Sequence, residues 1–320
     1  MTKLFPWLLA LLMAPALAQD FPSRAIHIVI PYAPGGGSDI LARPVAPVMA
    51  EQLKQSVVID NKGGAAGNIG AQQVATAAPD GYTLLLANNS HTINPFIYKT
   101  PGYDMAADFA PITLLGTSPV LIVVHKAVPA NNLKEFVAWV RANPGKYNFG
   151  SPGAGTPGHM ANLLFNKQAN LRMQHVAYKG TGPTTMALLA KEVEIFFGTP
   201  AAVEPHVKSG DFKALAVTSK VRFASFPTVP TVAESGIPEL ADFSIEIWWG
   251  LLAPAKTPTA VLDKLHDAAV RAVNDPKNRE RWLAQGMVPT TTSRAEYQTL
   301  VRNELKRWEQ IVKENKVTVD

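Results

Sequence analysis

Four stretches of this chain carry residue types that could handle a small molecule. The first, Tyr32-Ala33-Pro34-Gly35-Gly36-Gly37-Ser38-Asp39, sets three consecutive glycines between a β-branched run, Ile28-Val29-Ile30, and an apolar series at helical spacing, Ile40, Leu41 and Val45. Two more, Ser151-Pro152-Gly153-Ala154-Gly155-Thr156-Pro157-Gly158-His159 and Tyr178-Lys179-Gly180-Thr181-Gly182-Pro183, repeat that order of strand, glycine turn and helix. The fourth is a polar cluster, Asn88-Asn89-Ser90-His91-Thr92, at the end of another predicted strand. Glycine lets a backbone take positive φ and approach a ligand closely, and Ser38 or Asp39 can cap the helix that follows. The outward N–H groups of such a turn, added to the helix dipole, favour an anion. A single glycine turn serves equally well to reverse the chain. Repetition makes the case for anion binding.

Enzyme chemistry finds less support. Gly153-Ala154-Gly155-Thr156-Pro157-Gly158 matches the dinucleotide fingerprint G-x-G-x-x-G. That motif needs an acidic residue about 20 positions on to hold the ribose, and no Asp or Glu occurs between Gly158 and Glu192. Ser90, Ser151, His91 and His159 could suggest a serine hydrolase, but there is no G-x-S-x-G elbow, and Pro152 removes the N–H that the elbow uses as an oxyanion donor. Without cysteine, disulfides, thiolate metal sites and thiol nucleophiles are excluded. The seven histidines show no H-E-x-x-H and no close pairing, so neither a metal site nor a cofactor is expected. His159 reads equally as a helix-start residue or as a ligand contact.

The elements that must position these residues follow from periodicity. Strands are predicted at 28–30, 57–61 and 82–87, with helices from 40 and at 69–78, an alternation that reads as βαβ units of a parallel sheet. Ligands bind such sheets beyond the C-terminal ends of the strands. An apolar, β-branched region at 112–124, interrupted at 116–119, reads as a strand pair or a crossover to a second domain. Helices are predicted at 133–142, 160–168 and 184–191, strands at 147–150, 175–178, 193–197 and 214–218, and a return crossing at 245–253. Helices at 258–273, 276–285 and 294–314 complete the chain. The last opens with the capping box Ser293-Arg294-Ala295-Glu296 and buries Tyr297, Leu300, Val301, Leu305, Trp308 and Ile311.

The whole composition sets the remaining bounds. At 320 residues and 47% apolar content, two domains are favoured over one. A formal charge of +5 without any basic cluster interleaved with aromatics argues against nucleic acid. Lys3, an apolar run and Ala16-Leu17-Ala18 form a signal peptide over 1–18, too short to span a membrane at the ~20 residues this requires.

The ordered motifs Pro31-Tyr32-Ala33-Pro34-Gly35-Gly36-Gly37-Ser38-Asp39, Asn61-Lys62-Gly63, Gly67-Asn68-Ile69-Gly70, Ala78-Pro79-Asp80-Gly81-Tyr82-Thr83, Tyr178-Lys179-Gly180, Pro227-Thr228-Val229-Pro230-Thr231 and Ala253-Pro254-Ala255-Lys256-Thr257-Pro258 carry a resemblance across the mature chain. The sequence resembles the periplasmic solute-binding receptors of tripartite tricarboxylate transporters, the TctC-like Bug receptors. The resemblance implies an α/β type II periplasmic-binding-protein fold, a Venus flytrap of two doubly wound lobes joined by crossing strands. Lobe I would comprise 19–121 and 246–320, and lobe II 122–245. A small carboxylate, either a dicarboxylate or an aromatic acid, would lie between the lobes. Its implied contacts are Tyr32, Pro34, Gly35, Gly36, Gly37, Ser38, Asp39, Asn88, Asn89 and Ser90 from one lobe, and Ser151, Gly155, Thr156, His159, Tyr178, Lys179, Gly180 and Thr199 from the other. Gly198-Thr199, where many relatives carry Asp or another polar residue, is expected to enlarge or neutralise one end of the pocket. A monomer in the periplasm, handing ligand to membrane permease subunits, is the role this implies. A secreted enzyme acting on a carboxylate or ester, or a sensor feeding a kinase, are the alternatives.

Overall fold

The computed structural model describes residues 21–32, 34, 37–315 and 317. The expected signal segment, and Ala33, Gly35 and Gly36 of the first glycine turn, lie outside the described residues. The chain begins β1 (Ile26–Ile30), α1 (Gly37–Leu53), β2 (Val57–Asn61), α2 (Asn68–Ala75), β3 (Thr83–Asn88), α3 (Ser90–Ile97) and β4 (Phe109–Pro119). A second unit follows: β5 (Leu121–His125), α4 (Leu133–Arg141), β6 (Asn148–Ser151), α5 (Pro157–Gln168), β7 (Gln174–Ala177), α6 (Thr181–Leu189), β8 (Ile195–Gly198), α7 (Pro200–Lys208) and β9 (Phe212–Val217). The chain then returns to the first unit and ends with β10 (Glu246–Pro254), α8 (Thr259–Asn274), α9 (Pro276–Leu283), β11 (Val288–Pro289) and α10 (Arg294–Asn315).

These strands form two sheets, ordered β11-β4-β10-β3-β1-β2 and β7-β6-β8-β5-β9. β1 runs parallel to β2 and β3, and β6 runs parallel to β7 and β8. β10 is antiparallel to β3 and β4, as β5 is to β8 and β9. The runs Ile28-Val29-Ile30, Leu84-Leu85-Leu86 and Leu121 through Val124 are buried on both faces, as strands covered by helices on either side must be. α10 covers the first sheet with Tyr297, Val301, Trp308 and Ile311, all buried, while Leu300 and Leu305 sit partly buried at its margin.

The chain passes between the sheets twice, at Val120 and before Glu246, and Thr218 ties both passages. Its backbone N–H donates to Val120 O at 3.0 Å, while its hydroxyl donates to Ile245 O at 2.6 Å. In return Val120 N donates to Thr218 Oγ1 and Ile245 N to Thr218 O, both at 3.0 Å.

Two expected features differ. Gly116 does not interrupt its strand but lies inside β4, and the close approach of its neighbours accounts for the glycine: a Cβ there would sit 3.1 Å from Leu41 Cδ1 and 3.2 Å from Val288 O. The polar cluster at 88–92 is a helix start rather than a loop: α3 begins at Ser90 with Asn89 at its N-cap position, and Ser90 N donates to Asn88 Oδ1 at 3.0 Å in the turn that leads into it.

Candidate functional site

Strands β1 and β3 of the first sheet, and β6, β7 and β8 of the second, end at one cleft of about 670 Å³. A helix of eight or more residues starts at each of these ends. Residues at all five starts line the cleft: Gly37 and Ser38 of α1, Ser90 of α3, Thr156 through Gly158 of α5, Gly180 through Gly182 of α6, and Thr199 beside Ala201 and Ala202 of α7. The first turn of a helix leaves its N–H groups without intrahelical partners, and its dipole adds partial positive charge there. Pro157 and Pro200 occupy the first positions of α5 and α7, so those two starts present one donor fewer. No described residue lining the cleft is Asp, Glu, Lys, Arg or His. An anion there is met by backbone N–H groups, helix dipoles and neutral polar side chains such as Ser90, Thr181 and Thr199.

Of the sequence-predicted site residues, Tyr32, Pro34, Gly37, Ser38, Asn88, Ser90, Thr156, Gly180 and Thr199 line this cleft. Tyr32 Oη donates to Asn88 Oδ1 at 2.9 Å, and burial pushes the phenol up to about 12, so it stays protonated. Trp249 Nε1 donates to Ser38 Oγ at 3.0 Å, joining the first turn to β10.

The other candidates brace the walls. Asp39, buried, accepts from Arg43 Nε at 2.7 Å and from Asn61 Nδ2 at 3.2 Å, and Asn61 Nδ2 also donates to Tyr32 O. Asn89 is spent internally: Trp248 N donates to its Oδ1 at 3.0 Å, while its Nδ2 donates to Glu246 O and to Glu304 Oε2. His159, 4% exposed, accepts from Gly155 N at 3.1 Å through Nδ1 and stacks on His175 with ring centroids 3.9 Å apart. Burial, with the neighbouring His175 ring, lowers His159 to about 3, and burial lowers His175 to about 4. Ser151 Oγ lies 2.6 Å from His175 Nε2, but the serine is fully buried and neither residue lines the cleft. Tyr178 turns its hydroxyl to Glu192, and Lys179 is exposed outside the cleft. Gly155, with φ +75°, packs under α3, where a Cβ would meet Ile97 Cδ1 at 2.4 Å.

Of the two effects expected at Gly198-Thr199, enlargement or neutralisation, enlargement does not occur at Gly198, where the space is filled. A Cβ there would lie 2.4 Å from Val203 Cγ1 and 2.7 Å from Phe196 Cε1, so no empty volume replaces the missing side chain. Sequence reasoning missed much of the apolar wall: Ile40, Val120, Phe196, Phe197, Ile247, Trp249 and Met287. Trp249 was legible only as part of a crossing strand, and Met287 reaches the cleft from the turn between α9 and β11, which carries no motif.

Comparison with known proteins agrees with this architecture. Residues 41–317 match the model of the tripartite tricarboxylate transporter family receptor. BugT of Bordetella pertussis is 32% identical over 94% of this chain and 92% of its own length. Among solved structures, R. palustris Rpa4515 with adipate is 30% identical, with a TM-score of 0.83 over 94% of this chain and 100% of that one. MatC from Rhodopseudomonas palustris with bound malate is 32% identical, with a TM-score of 0.80 over 91% and 100%. By sequence over nearly its whole length, and by its two-lobed α/β fold, the chain belongs to the receptor family of the tripartite tricarboxylate transporters, among the Bug proteins.

Proposed function

We propose that this protein is a periplasmic receptor that captures a small carboxylate in the cleft between its lobes and passes it to the membrane permease of a tripartite transporter. The observation that carries the reading is the convergence, from both sheets, of five helix starts on one cleft whose described lining residues carry no charge. Oriented N–H groups can hold a carboxylate without a guanidinium clamp. The adipate and malate of the two related structures are carboxylates, in keeping with that chemistry. The lobes of the proposed receptor are 19–121 with 246–320, and 122–245, turning about the passages tied by Thr218. Ligand stabilises the closed arrangement because only closure brings both sets of helix starts to it. The receptor works as a monomer, exported by its signal peptide, without a cofactor and without catalysis.

A thermal-shift screen of residues 19–320 against aliphatic and aromatic mono-, di- and tricarboxylates tests this. A true ligand at 100 times its dissociation constant adds about 2.7 kcal/mol and raises the melting temperature visibly. Recovery of the compound unchanged after incubation is expected, and its turnover would favour a secreted enzyme instead. Failure of all carboxylates alongside stabilisation by another solute class would remove the anion reading.

A further inference from the structure

We infer that the ligand is an arylcarboxylate without an ammonium group, its ring lying against Trp249, Phe197 and Met287. The inference rests on the cleft being a carboxylate site and names the chemistry of the remainder of the ligand.

Charge gives the first constraint. An α-amino acid brings an ammonium ion into the cleft, where an anionic side chain offsets its desolvation best. None of the described lining residues can supply one. The polar side chains give the second. The Tyr32 hydroxyl donates to Asn88, that of Ser118 to Gly286 O at 2.9 Å, and that of Thr156 to Gly153 O at 2.7 Å. Ser38 already accepts the Trp249 indole N–H. The Tyr32, Ser118 and Thr156 protons are thus committed, the other polar side chains of the lining being Ser90, Thr181, Thr199 and Gln285, and a ligand hydroxyl that pairs with none of these costs about 1–3 kcal/mol.

Shape gives the third constraint. A Cβ on Gly37 would lie 3.2 Å from Trp249 Cζ2 and 3.6 Å from Met287 Cε, so the benzo ring of an indole and a thioether methyl stand beside the first helix start. A carboxylate held at that start places its substituent on this wall. A flat, polarisable ring fills such a surface better than a thin methylene chain, since aromatic stacking and sulfur contacts add to the buried area. The volume, about 670 Å³, lies in the range that encloses ring-bearing ligands.

Titration calorimetry on the mature chain with benzoate, the three benzenedicarboxylates, adipate, malate and glutamate decides the matter. Aromatic acids are expected to bind at least about tenfold more tightly than adipate or malate, with glutamate weakest. The second measurement is the methyl spectrum of the methionines, with Met287→Leu identifying its resonance. An aromatic ligand shifts the Met287 methyl by its ring current, whereas adipate cannot. Tighter binding of adipate or malate, or an unmoved Met287 methyl in the aromatic complex, overturns the inference and leaves the carboxylate site intact. Binding by none of the seven acids overturns both.

Discussion

Gly37 stands at the first turn of α1 with the Trp249 indole and the Met287 methyl immediately beside it. Its φ is ordinary, so its requirement is for space. In Gly37→Val the added methyls meet the indole and drive it into the cleft or break its bond to Ser38. Ligand affinity is expected to fall at least about tenfold, with stability reduced by no more than the roughly 1–3 kcal/mol of an overpacked site. Calorimetry and a denaturant melt on the same variant separate the two effects. At this scale the sequence showed which residues gather at strand ends but not which way they face. Ser38 and Asp39 are neighbours with similar capping chemistry, yet one touches the cleft and the other turns inward to Arg43 and Asn61. Asn89 and Ser151 are equally polar and equally close to the site in sequence, but their bonding is satisfied by partners such as Glu304 and His175 that no local pattern links to them.

Among the elements, the two inter-sheet passages share the side chain of one residue, Thr218, in addition to its backbone bonds. Thr218→Val keeps the shape and removes the hydroxyl, leaving Ile245 O without its donor and Val120 N without its acceptor. A loss of about 1–3 kcal/mol is expected for such buried groups, read from the midpoint of a urea melt. Unchanged stability would show that the passages are held by their backbone bonds alone. Strand and helix order was largely legible because alternating β-branched runs and amphipathic segments separated by glycine or proline have few other solutions. The start of α3 escaped notice because the residues that cap a helix are also those that make loops. α7, with Pro205 in its interior and alanines near its start, offered almost no helical periodicity, although Thr199 before Pro200 was a valid starting signal.

For the molecule as a whole, buried histidines set the response to acid. Burial holds His91 at about 4, and His159 and His175 stay neutral for the reasons given above. An unfolded histidine takes up a proton below about 6.5. The unfolded state therefore binds more protons between about pH 4 and 6.5, and the fold loses stability as pH falls through that window, with no such loss above it. For the fully buried His91 the slope is about 1.4 kcal/mol per pH unit, and His175, partly exposed, adds less. Denaturant melts at pH 7.5, 6 and 5 should show a steady decline that is shallower in His91→Gln. A flat profile across this window would mean that the buried rings are protonated in the fold. The two-lobed plan itself was the most legible level, since motifs scattered over the full mature length agreed on it. The apolar character of the cleft was the least, because its wall is assembled from β8, β10 and the turn before β11, segments far apart in sequence.

The sheet order also governs when each lobe can form. β10 lies between β4 and β3 in the middle of the first sheet, although it is contributed by Glu246–Pro254, well over half a chain after β1. The strands of the second sheet all fall between Leu121 and Val217. A chain leaving the ribosome or an export channel from its N-terminus can therefore complete the second sheet while β1, β2 and β3 still wait for the strand that joins them to β4. The lobe that comes first in sequence is thus the last to close, and the cleft between the lobes is complete only once β10 has joined β3 to β4.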